Sequence, residues 1–267
     1  MISSPQNPKI KNIVKLRNRR TRDKQQLMIV EGYRSLLRAS NNGIAATEFY
    51  FCRDFFLGEN EDELIALYES RGAQVFELTK QVFEKISYRD RPEGLLALAP
   101  YQERVLEELE LSDSPFLVVA QAIEKPGNLG TIIRSTDGTG ADGLIICDRC
   151  TDLHNPNVIT ASTGMSFALP IVETDSDSCR QYLKDRGIKI ISATPHAEKV
   201  YTDIDLTGPV AIVVGTEQYG LTDDWMVESD DLINVQIPMM GQADSLNVAT
   251  ATTLILYEAL RQRNLKK

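Results

Sequence analysis

The 267-residue sequence predicts an α/β protein of two domains, the larger built on a parallel sheet with helices on both faces. Three observations predict it. From Phe116 onward six short apolar runs, FLVVAQ, GLIICD, ALPIVE, IKIISA, VAIVVG and LINVQIP, alternate with longer mixed stretches. Uninterrupted apolar strands separated by helices belong to a sheet covered on both sides. The first hundred residues carry an alternation of their own, with shorter helical and strand-like segments. Between the two, Tyr101 to Leu111 is charged and helix-prone, and Ser112-Asp113-Ser114-Pro115 breaks it. The domains are therefore drawn as 1–100, a linker over 101–114, and 115–267.

In the first domain a basic helix is expected over about residues 6–20, with Ile10, Ile13, Val14 and Leu16 as its buried face. A second helix is expected from Val30 to Ala39, where apolar residues recur at helical spacing. Asn41-Asn42-Gly43 marks a turn. Glu48 to Cys52 reads as a strand, Asp62 to Ser70 as a helix, Gln74 to Leu78 as a strand, Thr79 to Ile86 as a capped helix and Leu95 to Ala99 as an apolar strand.

Composition narrows the function classes. With 42% apolar and 25% charged residues the chain is of ordinary globular type rather than disordered. No apolar run approaches the ~20 residues that span a bilayer. The N-terminus lacks the apolar segment of a signal peptide, so a cytoplasmic protein is expected. Four cysteines, Cys52, Cys147, Cys150 and Cys179, do not make a disulfide scaffold in a chain of this size. Cys147-x-x-Cys150 with His154 lacks a fourth ligand, so no metal is expected and Cys147 is read as the end of a buried strand.

Charge is unevenly spread. Residues 1–40 hold ten basic and two acidic residues, a balance of +8, so the rest carries −17 of the total of −9. Eight of the basic residues lie between Lys9 and Lys24. An acidic protein with one concentrated basic arm offers one localised phosphate-contacting face, here Lys9, Lys11, Lys15, Arg17, Arg19 and Arg20.

Three further constellations could carry chemistry. Asn128-Leu129-Gly130-Thr131-Ile132-Ile133-Arg134 follows the strand FLVVAQ and opens a helix that Asn128 is placed to cap. Arg134 adds a planar, permanently charged fork suited to phosphate. Gly215-Thr216-Glu217-Gln218-Tyr219-Gly220-Leu221 follows the strand VAIVV, and in α/β folds ligands sit beyond the carboxyl ends of strands. It is neither a Walker loop nor the dinucleotide glycine fingerprint, which weighs against a nucleotide-binding oxidoreductase. Ile237 to Arg263 joins a strand end, a polar turn with Asp244, Ser245, Leu246 and Asn247, and a long helix. Singly, each of these also fits a surface charge or an ordinary helix start.

In that order, Asn-x-Gly-x-x-x-Arg, Gly-x-Glu-x-x-Gly-Leu and Ile-Pro-Met with Ser-Leu-Asn-Val resemble the signatures of the SpoU/TrmH family of RNA 2′-O-ribose methyltransferases, over roughly Pro115 to Arg263. The N-terminal third resembles the family's substrate-binding domain through IVEGYRSLLRA. The resemblance implies a C-terminal trefoil knot, S-adenosylmethionine as cofactor and a homodimer through the knotted domain. It implies Thr194, Gly215, Gly220, Ile237 and Leu246 as cofactor contacts, and Arg134, Asn128, Glu217, Ser245 and Asn247 as the catalytic set. Ribosomal RNA is the preferred substrate and transfer RNA the second; a non-catalytic RNA-binding protein of the same fold is the alternative from another class. Asn157 and Thr160 stand where relatives often carry basic residues, which shifts RNA contact toward the N-terminal arm.

Overall fold

The computed structural model describes residues 1–216 and 219–265, which divide into two compact units. One unit is Met1–Gln102 with Asp152–Ala168; the other is Glu103–Thr151 with Leu169–Lys267. The domain drawn from residue 115 onward thus yields residues 152–168 to the first unit.

In the first unit, β1 (Leu27–Glu31), β4 (Leu95–Pro100), β2 (Glu48–Phe51) and β3 (Gln74–Glu77) lie side by side in that order. β4 runs antiparallel to both of its neighbours, while β2 and β3 are parallel. The helices are α1 (Pro8–Lys15), α2 (Arg19–Gln25), α3 (Tyr33–Asn41), α4 (Glu61–Ser70), α5 (Lys80–Ile86) and, from the inserted segment, α7 (Pro156–Ala161). Two expectations fail here. The basic helix is two helices, because the Asn18 side chain accepts from Arg20 N–H and caps a new start. Val30 belongs to β1 rather than to a helix, and α3 begins only after Gly32, whose φ of +90° turns the strand into the helix. The four-residue apolar run Met28-Ile29-Val30 with Leu27 fits either period, and pairing with β4 decides it. Of the expected buried face, Ile10, Ile13 and Leu16 are fully buried and Val14 is half-buried.

The second unit holds seven parallel strands in the order β7 (Ile171–Thr174), β6 (Gly143–Cys147), β5 (Phe116–Gln121), β10 (Val210–Val214), β8 (Lys189–Ala193), β11 (Leu232–Gln236) and β9 (Lys199–Val200). β5, β6 and β10 are buried along their whole length, which is why they read as continuous apolar runs. The helices are α6 (Pro126–Gly138), α8 (Ser176–Asp185) and α9 (Val248–Leu265). Residues 101–111 form no long helix; only Leu106–Glu108 make a turn, and Leu106 and Leu109 are drawn into the core under the sheet. Cys147 ends β6 inside that core, where the neighbouring Cys179 thiol and burial both push its thiol upward. Among the described residues, no helix is long and apolar enough to cross a membrane, and no group of metal-ligating side chains gathers.

A candidate active site at the strand ends of the second unit

Strand order fixes where this site lies. β5, β6 and β7 step outward in one direction, and β8 then starts on the other side of a gap that β10 later fills. The reversal falls at β5 and β10, and ligands in parallel sheets bind beyond the carboxyl ends at such a reversal. Adjacent strands are about 4.8 Å apart, so residues following neighbouring strands form a row. Register pairs Val214 with Ala120, Val213 with Ser192, and Val235 with Ala193. Gly215, Thr194 and Ile237 therefore leave three neighbouring strands at one edge of the sheet. Thr194 N–H donates to Val235 O at 2.9 Å, and its hydroxyl accepts from His196 N–H at 3.3 Å.

The Gly215 loop folds onto itself. Thr216 and Gly220 exchange two backbone hydrogen bonds, at 3.0 and 3.1 Å, and Gly220 adopts φ +71°. A Cβ on buried Gly215 would lie 2.4 Å from the Gly220 carbonyl oxygen. Only glycine permits this close approach, which presents backbone rather than side chain at the strand end. Glu217 lies outside the described residues.

α6 and α9 bring the first and last motifs together. Asn247 caps α9: its side-chain oxygen accepts from Ala249 N–H at 3.0 Å and its carbonyl from Ala251 N–H at 2.9 Å. Its Nδ2 donates to Asn128 Oδ1 at 3.2 Å. About two turns further along, the Ser135 and Thr253 hydroxyls are hydrogen-bonded at 2.7 Å. Asn128 does not cap α6; Lys125 holds that position with Pro126 as the first helical residue, and Asn128 lies inside the first turn. Asn128 Nδ2 is buried without a hydrogen-bond partner among the described residues, a donor at the edge of this cluster.

Arg134 takes a different direction. Six residues beyond Asn128 on a helix is about 240° round the axis. It is exposed, on the face opposite buried Leu129, Ile132, Ile133 and Thr136, and no ion pair or hydrogen bond engages it among the described residues. Ser245 is exposed and Leu246 half-buried in the turn before α9. Within this chain the structure thus joins Asn128 to Asn247 and aligns Gly215, Thr194 and Ile237, and it leaves Arg134 apart.

Sequence reading missed one element of the same edge. Gln121, at the end of β5 and 2% exposed, donates from Nε2 to Asp148 Oδ2 (3.0 Å), Ser176 Oγ (3.2 Å) and Thr222 Oγ1 (2.9 Å). Its Oε1 accepts from Thr222 N–H at 3.1 Å, and Trp225 Nε1 donates to Ser176 Oγ at 3.0 Å. This network ties the ends of β5 and β6 to the start of α8 and to the chain after the Gly215 loop. A polar residue closing an otherwise apolar strand was the available signal.

Of the basic arm, Lys9 pairs with Glu48, Arg17 donates to the carbonyls of Lys85 (2.9 Å) and Ser87 (2.7 Å), and Arg19 pairs with Asp23 at 3.5 Å. Lys11, Lys15 and Arg20 are exposed and unengaged among the described residues.

Comparison with known proteins matches this geometry to a family. The SpoU rRNA Methylase family profile covers residues 115–257, and the MRM3-like substrate binding domain covers residues 7–97. A 23S rRNA (uridine(2479)-2′-O)-methyltransferase of Streptomyces viridochromogenes is 31% identical over 92% of this chain and 86% of its own. An RNA 2′-O ribose methyltransferase of known structure is 38% identical, with a TM-score of 0.86 over 98% of this chain and 99% of its own. An AdoMet-bound rRNA methyltransferase from Sinorhizobium meliloti is 28% identical, with a TM-score of 0.88 over 97% of each chain. With more than half of its length matched by the family profile and the strand-end loops where that family's signatures fall, the chain belongs to the SpoU rRNA Methylase family.

Proposed function

We propose that this protein transfers a methyl group from S-adenosylmethionine to a ribose 2′-hydroxyl of ribosomal RNA. The observation that carries the reading is the row of strand ends at the sheet reversal, flanked by the Asn128–Asn247 pair, inside the span matched by the family. The residues present fit the cofactor. Gly215 keeps side chains out of the strand-end edge, and Thr194, Gly220, Ile237 and Leu246 lie on the loops around it. Asn128 Nδ2 is a buried donor with no hydrogen-bond partner among the described residues. When bound, S-adenosylmethionine supplies a methyl already activated by positive sulfur, so the protein's task is alignment and proton removal.

Arg134 is assigned to the substrate ribose and its phosphate. A guanidinium is a poor base at neutral pH, so it acts as a clamp that orients the hydroxyl while phosphate or water takes the proton. Its exposed direction, away from Asn128, supports a homodimer in which a second copy completes each site. Leu254 and Tyr257, 39% and 50% exposed on α9, offer apolar surface for that pairing. Glu217, Ser245 and Asn247 are assigned to the remaining pocket. Lys9, Lys11, Lys15, Arg17, Arg19 and Arg20 are assigned to RNA, with the free Lys11, Lys15 and Arg20 in the leading role. Insertion of β10 between two strands that precede it in the chain supports a knotted C-terminal half. Four free thiols, two of them adjacent in one core, suit a reducing cytoplasm.

The test is transfer of labelled methyl from S-adenosylmethionine to rRNA and, separately, tRNA, with the product mapped to ribose or base. Label on rRNA ribose supports the reading. Label on tRNA alone replaces the substrate, and cofactor or RNA binding with no label in either supports a non-catalytic RNA-binding protein.

A further inference from the structure

The first unit contains a cleft of about 500 Å³ that no part of the methyl-transfer reading uses. It lies beside the start of α3 and the start of α4, and the inserted segment contributes Thr160 and Thr163. Its volume falls in the range of small-ligand sites, roughly 300–1,000 Å³.

Three buried polar atoms of its lining residues have no hydrogen-bond partner among the described residues: Ser35 Oγ, Glu61 Oε2 and Arg89 Nε. Ser35 is 1% and Glu61 5% exposed. Buried polar atoms without partners are uncommon in folded proteins, and three on one cleft wall mark a place built to meet polar groups. The other oxygen of Glu61 is committed, accepting from Leu57 N–H at 3.0 Å and Gly58 N–H at 2.8 Å. Burial alone would raise this carboxyl, but backbone N–H groups outweigh it and hold it below its ordinary value, so Glu61 is an ionised member of the cleft lining at neutral pH. Tyr33 supplies a half-buried ring to the same wall, and Arg34 an exposed cation engaged by no other side chain among the described residues. Thr163 is a β-branched residue at φ +54°, held by Arg38, which donates to its hydroxyl at 2.6 Å.

The chemistry selects the occupant. A bare phosphate is repelled by the Glu61 carboxylate, and a metal ion by the Arg34 and Arg89 guanidiniums. A neutral planar group with hydrogen-bond donors and acceptors, joined to a phosphate, satisfies all of them. We propose that this cleft captures one unstacked nucleoside of the RNA substrate, its base edge on Ser35, Glu61 and Arg89, its ring beside Tyr33 and its phosphate on Arg34. The proposal rests on the RNA reading above. It gives the first unit a contact to a base, where the basic arm offers contacts to backbone only.

The experiment measures binding of the full chain to labelled eight-residue oligoribonucleotides bearing A, C, U or alternating G and U, and to an abasic eight-residue strand of equal charge. The base-bearing strand that binds best is expected to exceed the abasic strand by about fivefold or more, the low end of base–aromatic stacking. Ser35→Ala and Glu61→Gln are expected to bring that ratio below about two while leaving abasic binding in place. Arg34→Ala weakens every strand and lowers the salt slope by about 0.7. Ser35→Ala removes a hydroxyl with no partner, so it keeps the test valid should Glu61→Gln disturb the loop at Leu57. RNA binding with no base preference, or a preference unmoved by both substitutions, overturns the cleft alone. No RNA binding at all overturns the cleft and the RNA reading together.

Discussion

Arg22 on α2, within the basic arm, and Arg134 on α6, in the first motif, are both helical arginines, and the structure treats them oppositely. Arg22 is 2% exposed; it pairs with Asp152 and donates to the carbonyls of Leu16 (2.8 Å) and Arg17 (2.9 Å). Arg134 is exposed and engaged by nothing described. A buried guanidinium tied to a carboxylate and two carbonyls holds a fold together. An exposed one that no described residue engages contributes no such tie to the fold. Within one dense basic stretch the same division recurs: Arg22 is structural, while Lys11, Lys15 and Arg20 remain available. Counting charge along the sequence could not separate these roles, because partner carbonyls and Asp152 come from folding.

The sharpest way to break this contrast is Arg22→Met. It strands Asp152 in the core of the first unit and should cost about 3–5 kcal/mol in urea unfolding. Adding Asp152→Leu should recover part of that loss. If the single variant is as stable as wild type, Arg22 is not structural. Next in size, Asn247→Ala removes the α9 cap and should cost about 1 kcal/mol. Combined with Asn128→Ala in a double-mutant cycle, it should show a coupling of about 0.5 kcal/mol or more, whereas strictly additive effects would dissolve the pair.

Smaller in stability is the combined Lys11→Ala, Lys15→Ala and Arg20→Ala variant, which should unfold within about 0.5 kcal/mol per site of wild type. Its RNA affinity should lose about 2 from the salt slope, since each lost phosphate contact is worth about 0.7 on single strands. An unchanged slope would move RNA contact off the arm. The smallest effect is expected at Asp148. Burial alone would raise its carboxyl, but hydrogen bonds from Gln121 and Ser176 hold it below its ordinary value. A lowered folded-state value adds stability above the unfolded value and loses it as pH falls through the folded one. Asp148→Asn, tolerated at φ +52°, should therefore flatten the acid limb of a melting-temperature profile below about pH 4.

Legibility in the sequence followed burial. All six apolar runs of the second unit are strands, because strands buried on both faces leave no polar alternation to misread. In the first unit the run through Val30 fitted helix and strand alike, and only pairing with β4 made it a strand. The 152–168 segment looked like part of the second domain because chain order hides which core takes Ile159 and Phe167. The strand end at Gly215 and the helix start at Asn247 were legible from the apolar run and the polar turn beside them. Gln121, Ser35 Oγ and Glu61 Oε2 were not, since what marks them is the company that folding gives or withholds.

The central claim is that Arg134 serves the reaction and not the fold. The most direct measurement is single-turnover methyl transfer to rRNA by Arg134→Ala, with S-adenosylmethionine affinity and melting temperature taken on the same sample. The account predicts a rate lower by about 100- to 1,000-fold, the usual loss for one transition-state donor, with cofactor affinity and melting temperature close to wild type. A rate within a few-fold of wild type, or a loss of activity that follows a loss of folding, would contradict it.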